Sequence, residues 1–271
     1  MSLTRLDVAL VQRGLARSRN HASKLIAAGR VYLAGQEAKK SSQQISDDAE
    51  LTVLQAEDYV SRAGHKLAAA LDEFQISPEG KICLDVGAST GGFSDVLLRR
   101  GARTVIAVDV GHSQLAPELE DYPKLINIEN FNAREMTLAN LSQASSLKLT
   151  EDSIKLLVAD LSFISLTLVL ANFKAVAPSA DMVLLIKPQF EVGKASLDAS
   201  GIVNDHRLRA NAVNQVLEAA KELGLGLHGL TRSPLPGTHG NQEYLVWLNS
   251  VETNWSKGWS ARIDEMVKSK G

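Results

Sequence analysis

Polar and apolar positions switch between two periods along this chain, and the switches mark its elements. In TRLDVALVQRG, Leu6, Ala9 and Leu10 recur at helical spacing, and Gly14 suits a helix stop. SRNHASKLIAAGR repeats the pattern, with Ser18 as N-cap, Ala22, Leu25 and Ile26 on one face, and Gly29 at the C-terminal end. RVYLAGQEA predicts a strand and turn, and ELTVL a second strand. AEDYVSR, residues 56–62, forms a joint, and SRAGHKLAAALDEF predicts a helix that buries its Ala, Leu and Phe side chains. Beyond it, short apolar runs predict strands at KICLDV, TVIAVDV, LINIEN, IKLLVAD, DMVLLIK, near LGLHGLTRS, and at EYLVWLN. Helices are predicted at 92–100, 113–119, 133–140, 165–177 and 206–223, with a final one in SKGWSARIDEMVKSKG. Such alternation implies a mostly parallel, seven-stranded sheet covered on both faces, an α/β fold. Only PLPGTHGNQ separates the last two strands, so this hairpin places one antiparallel strand at or near the sheet edge. The expected division is a small α+β module over residues 1–58 and a Rossmann-like domain over 59–271.

Composition changes this picture little, but charge does. The chain of 271 residues is 45% hydrophobic and 22% charged, as for an ordinary water-soluble protein. Its single cysteine, Cys83, cannot form an internal disulfide; with no signal-like N-terminus, this predicts a cytoplasmic protein. Ile154–Phe173 is apolar but interrupted by Lys155 and Asp160, so no membrane span is expected. Residues 1–40 carry eight basic side chains against two acidic ones, a surplus of six, which leaves an acidic excess of eight elsewhere in a chain of net charge −2. A basic module on an acidic body predicts a polyanion partner for the module. Arg5, Arg17, Arg19, Lys24 and Arg30 are the candidate phosphate contacts, several of them on the second helix or its entry.

The candidate chemistry begins at LDVGASTGGFSDVLLRRG, where a strand runs through glycines into an amphipathic helix. In a parallel sheet, ligands bind beyond the carboxyl ends of the strands. Asp85 ends the first strand and Gly87 opens the turn; Gly91 and Gly92, lacking Cβ atoms, are expected to let backbone and ligand approach closely. Asp109 ends the second strand, where a carboxylate can accept hydrogen bonds from ribose hydroxyls. The loop is G-x-x-x-G-G rather than the tightly wound pyrophosphate cradle. It suits S-adenosylmethionine, which has no phosphate. Asn130 or Asn132, after the third strand, falls where an adenine amino group is expected. No metal site is expected.

Asp160 ends the fourth strand, Lys187 ends the fifth, Glu243 begins the last, and Lys66 lies on the helix beside the first strand. All would face one cleft. Methylating a ribose 2′-hydroxyl requires a group that takes its proton, and a lysine serves if a neighbouring cation and desolvation favour its neutral form. Lys66 beside Lys187 is expected to supply that neighbour, with Asp160 and Glu243 orienting the amines.

These segments carry a family resemblance. RLDVALVQRGLARSRNHASKLIAAGRVYLAGQ resembles an S4 RNA-binding domain. Together with SRAGHK, LDVGASTGGFSDVLL, VADLSFISL, IKPQFEVGK and SPLPGTHGNQEY, nearly the whole chain resembles the TlyA family, often labelled hemolysin A. The resemblance implies a class I methyltransferase fold of FtsJ-like type and 2′-O-methylation of a cytidine in ribosomal RNA, free or in ribosomal subunits. It implies a Lys66, Asp160, Lys187, Glu243 tetrad. It also implies a donor site at Gly87, Ala88, Ser89, Gly91, Gly92 and Phe93, with Asp109 at the ribose. Three alternatives stay open. DLSF matches a base amino-methyltransferase motif in which Phe163 would stack a flipped base, although a core position for Phe163 is the plainer expectation. The family label suggests a lytic membrane protein. An RNA-binding protein without activity would keep the module and lose donor binding.

Overall fold

The computed structural model describes all residues except 1–2, 17, 28, 34–35, 47, 54–58, 194–196, 238–239, 252, 254–257 and 269–271, and all their side chains except those at 36, 37, 258 and 260. The chain forms two compact units, Met1–Asp58 and Tyr59–Gly271.

In the first unit, strand β1 (Leu3–Arg5) leads into helices α1 (Leu6–Gln12) and α2 (Arg19–Ala27), then strands β2 (Val31–Leu33), β3 (Gln36–Glu37), β4 (Gln44–Ser46) and β5 (Leu51–Val53). Leu6, Ala9 and Leu10 of α1 pack with Ala22, Leu25 and Ile26 of α2 over Val31 and Ile45. Each helix closes with paired backbone bonds, from Leu15 to Leu10 and Gly14 to Val11, and from Arg30 to Leu25 and Gly29 to Ile26. The Ser18 hydroxyl accepts the His21 amide at the start of α2. β2 pairs antiparallel with β3 and β5, as the strand-and-turn pattern predicts. The β1–β4 pair has no counterpart in the sequence reading, because LTR and QIS each carry a single apolar residue among polar ones.

The second unit begins with α3 (Arg62–Phe74), whose Leu67, Ala70, Leu71 and Phe74 form one buried face. Next come β6 (Ile82–Val86), α4 (Gly92–Arg99), β7 (Thr104–Val108), α5 (Pro117–Glu120), β8 (Leu125–Ile128), α6 (Leu138–Ser145) and β9 (Ile154–Ala159). The remainder is α7 (Leu170–Val176), β10 (Asp181–Ile186), α8 (Pro188–Glu191), α9 (His206–Glu222), β11 (Gly226–Arg232), β12 (Tyr244–Asn249) and α10 (Gly258–Lys268). The seven strands lie in the order β11-β12-β10-β9-β6-β7-β8. Only β12 runs antiparallel, wedged between β10 and β11 and so one place in from the edge. The expected α/β class and mostly parallel sheet are thus observed.

Near-continuous apolar strands follow from burial on both faces. Cys83, Val158, Val183 and Leu185 point to α3, α4 and α5. Leu84, Ala159, Leu184 and Ile186 point to α6, α7, α9 and α10. Three predicted helices need correction, of which 165–177 opens as a 3₁₀ turn at Leu166–Leu168 before α7 starts at Leu170. At 113–119 only one turn forms, from Pro117, because the Asp109 and Glu129 carboxylates hold the Gly111 and Ser113 amides in a loop. At 133–140 a 3₁₀ turn at Ala133–Glu135 ends, and Thr137 and Asn140 form a capping box that starts α6 anew. Among the described residues no helix is long and apolar enough to cross a membrane.

Candidate active site

The loop after β6 is shaped by contacts between parts of the protein. A Cβ on Gly87, whose φ is +82°, would lie 2.7 Å from the Asp160 carbonyl oxygen, so the loop closes on the end of β9 only without one. Side chains at Gly91 and Gly92 would strike Leu119 and the Ser61 hydroxyl, at 2.4 and 2.1 Å. Whatever ligand they face, these two glycines let the start of α4 pack on α5 and on the entry to α3. Phe93 is a core residue that only edges the site, and Ala88 is buried.

Asp85 also differs from expectation. It is fully buried under the loop, where Oδ2 accepts the Ser94 hydroxyl at 2.7 Å. Its Oδ1 has no hydrogen-bond partner among the described residues. Burial pushes its carboxyl up to about 7, and the Asp160 and Asp109 charges add to the rise while the Ser94 bond opposes it.

Beyond the strands opens a cleft of about 560 Å³, lined by Gly87, Ser89, Asp109, Gly111, Gln114 and Asn132 on its polar side and by Val110, Phe131, Leu161 and Ile164 on its apolar side. Asp109 accepts the Ser89 amide at 2.8 Å on Oδ2 and the Gly111 amide at 2.7 Å on Oδ1. Each oxygen keeps a further lone pair for a ligand hydroxyl. Asn132 lines the same cleft, but its side chain caps the 3₁₀ turn by accepting the Arg134 amide. Asn130 has φ +55° and donates its amide to Gly111. A smaller recess of about 130 Å³ continues from Gly87 and Ser89 to Asp160, Ser162 and Lys187.

The four expected catalytic side chains form two ion pairs. Lys66 Nζ lies 2.5 Å from Glu243 Oε2, with the two side chains only 9% and 2% exposed. Lys187 Nζ lies 2.6 Å from Asp160 Oδ1 and donates to the Ser162 hydroxyl at 3.0 Å. Lys187 immediately follows β10, Glu243 immediately precedes β12, and their neighbours Ile186 and Tyr244 are paired across the two strands. This antiparallel register brings the ends of β10 and β12 together. Ser162 was not singled out in the sequence; a polar residue two positions past a candidate acid is the only signal it left.

Phe163 is no core residue, as the plainer expectation had it. It is 92% exposed at the cleft rim, holds φ +65°, and packs against Phe190 at 5.2 Å between centroids. Bulky side chains rarely adopt that backbone region.

In the first unit, Asp7, one of the two acidic residues among the first forty, organises the basic ones. It is buried at the start of α1 and draws in Arg5 at 3.0 Å and Arg19 at 3.0 Å. The hydrogen bond from Arg5 holds its carboxyl down at about 2, against the opposing effect of burial, with Arg19 reinforcing. Lys24 is exposed on α2 and Arg30 is half-buried after it. Arg17 lies outside the described residues.

An FtsJ-like methyltransferase model matches residues 59–250, and an S4 domain model matches residues 4–51. The 16S/23S rRNA (cytidine-2′-O)-methyltransferase TlyA of Mycobacterium tuberculosis is 47% identical over 249 residues, 91% of this chain and 90% of that protein. Hemolysin A of Brachyspira hyodysenteriae is 40% identical over 244 residues, 89% of this chain and 98% of that protein. A solved structure from Streptococcus thermophilus, described as a candidate hemolysin, matches with TM-score 0.71 at 34% identity over 98% of this chain and 95% of that one. With its S4 domain ahead of the methyltransferase domain, this chain belongs to the FtsJ-like methyltransferases, as a member of the TlyA family.

Proposed function

We propose that the chain transfers a methyl group from S-adenosylmethionine to the ribose 2′-oxygen of a cytidine in ribosomal RNA, in the cytoplasm. Two lysine–carboxylate pairs carry this reading: Lys187–Asp160 in the recess that joins the donor cleft, and Lys66–Glu243, buried where β12 begins. The cleft fits the donor: Asp109 offers lone pairs to a ribose diol, and Val110, Phe131 and Ile164 offer an apolar wall to a base. The donor supplies an electrophilic methyl on a sulfonium. Lys187 lines the recess and, as the neutral amine, is the group assigned to take the hydroxyl proton as the oxygen bonds to the methyl carbon and the carbon–sulfur bond breaks, the thioether leaving. Asp160 and Ser162 fix its amine. Lys66, held by Glu243, contributes a fixed charge on the α3 side. Asp85, buried, acts indirectly by holding Ser94 at the start of α4.

The basic first unit is assigned to hold the RNA, with Arg5 and Arg19 set by Asp7. Phe163 gives the base amino-methyltransferase reading its best support, since an exposed aromatic at the rim can stack a base. An exocyclic amine, however, leaves the two lysine pairs without a task, and stacking serves ribose chemistry equally well. Incubation with labelled donor and each ribosomal subunit, or its bare RNA, followed by primer-extension mapping, tests the proposal. It expects a stop at a defined cytidine; label elsewhere than RNA contradicts it.

A further inference from the structure

We propose that the methyltransferase domain carries a second RNA contact: a basic cleft at the β11 end of the sheet that takes the phosphate backbone of the strand bearing the target nucleotide. The proposal rests on the RNA substrate proposed above, but its residues lie outside the donor cleft and the lysine pairs.

The cleft measures about 1150 Å³, against about 560 Å³ for the donor cleft. His206 and Arg209 enter it from the first turn of α9, Arg232 and Ser233 from the end of β11, Gln242 from the approach to β12, and Lys268 from the end of α10. Three permanent cations line it, and among the described residues no carboxylate does. This is a local departure, because the chain beyond residue 40 carries an acidic excess of eight. One cation builds the wall. Arg209 donates to the carbonyl oxygens of Val203, Asn204 and Val267 at 3.0, 2.8 and 2.9 Å, tying α9 to α10. Arg232, half-buried, and Lys268, exposed, supply the charge that a ligand meets.

Position links the cleft to catalysis. β11 is parallel to β10, since both are antiparallel to β12, so the end of β11 lies on the sheet edge that carries Asp160 and Lys187. Just before β12, Glu243 reaches Lys66 while its neighbour Gln242 lines the cleft. Arg62, the first residue of the Lys66 helix, donates to the Pro236 carbonyl in the cleft wall at 3.4 Å. A strand with its target ribose at Lys187 therefore has a basic path along this edge.

The lining also says which part of the strand is held. Among the described lining residues there is no Phe, Tyr or Trp and the His206 ring is the one aromatic surface, against three permanent cations. Such a lining holds backbone and positions it rather than reading sequence.

The test uses the full chain with Arg232→Glu and Lys268→Glu combined, and deproteinised ribosomal RNA as probe. The variant should bind that RNA at least tenfold more weakly. The log–log salt dependence should flatten by about 0.7 for each phosphate that the variant no longer neutralises. Donor affinity by calorimetry and the thermal midpoint should match wild type, and the loss in methyl transfer should fall on KM for RNA. If the reversals disturb folding, Arg232→Gln with Lys268→Gln gives a smaller loss, at least threefold, with the same change of slope. Wild-type RNA affinity and slope in a folded variant overturn the proposal. A loss seen only with assembled subunits overturns it too, in favour of an acidic protein partner. A wild-type chain that binds RNA but transfers no methyl defeats the ribose-methylation reading alone, since the binding comparison still judges the cleft.

Discussion

Replacing Glu243 by glutamine isolates what the Lys66–Glu243 pair contributes to the fold. The side chains are 9% and 2% exposed and 2.5 Å apart, so solvent screens their attraction little. Glutamine keeps the shape and removes the charge, leaving the Lys66 ammonium buried against a neutral amide. Breaking such a pair from one side costs about 3–5 kcal/mol. For a domain of this size that corresponds to a fall of roughly 6–20 °C in the unfolding midpoint. Lys66→Met should cost a similar amount. The double replacement Lys66→Met with Glu243→Met should recover most of the loss, because two apolar chains of similar volume need no counter-charge. All three variants should lose methyl transfer, so stability and activity part company in the double variant. The assay is built in: Trp247, Trp255 and Trp259 are the only tryptophans, and all lie in the second unit. Their fluorescence during thermal or urea unfolding reports this unit alone, free of any separate transition of the first. Single variants as stable as wild type would refute a buried, mutually dependent pair. A double variant no better than either single would show that the two residues support the fold by some other means.

Lys187→Ala and Lys187→Arg should both abolish turnover while leaving donor affinity intact by calorimetry, because arginine stays protonated and cannot take the hydroxyl proton; an active Lys187→Arg would remove Lys187 from that role. Asp109→Ala should weaken donor binding by about 1–3 kcal/mol, the usual scale for losing a charged hydrogen-bond partner, and unchanged affinity would misplace the ribose. Asp85 is held neutral by the fold up to about 7, above its ordinary value of 3.8, so its contribution is full below pH 4 and declines as pH rises. Stability should therefore fall by roughly 1.4 kcal/mol per pH unit between about pH 4 and 7 and level off above; urea titrations of Asp85→Asn should lack this slope. Gly91→Ala should lower stability rather than block the donor, since its Cβ meets Leu119; wild-type stability with lost donor binding would reverse that reading.

The large domain was legible because its strands are buried on both faces and its helices on one, so period and run length separate them. Short elements escaped for the same reason in reverse. β1 and β4 hold one apolar residue each, and the 113–119 segment looks helical until two carboxylates claim its amides. At the site, strand-end logic named Asp160, Lys187 and Glu243 because a parallel sheet sends its carboxyl ends to one edge. It could not tell which lysine pairs with which acid, for that depends on the antiparallel insertion of β12. Nor could it foresee which neighbours each glycine clears, since Gly87, Gly91 and Gly92 look alike until Asp160, Leu119 and Ser61 are in place. Buried Asp7, amid basic residues, gave no periodic signal beyond its place on an apolar helix face.

Alkaline hydrolysis of the product RNA tests the central claim most directly. Alkali cleaves RNA by using the 2′-oxygen as nucleophile on the adjacent phosphodiester, so a methyl on that oxygen prevents cleavage. After incubation with labelled S-adenosylmethionine, the label should be recovered in an alkali-resistant dinucleotide containing cytidine. Label released entirely as mononucleotide carrying a methylated base would contradict ribose methylation and assign the cleft to base chemistry, with Phe163 as the stacking surface.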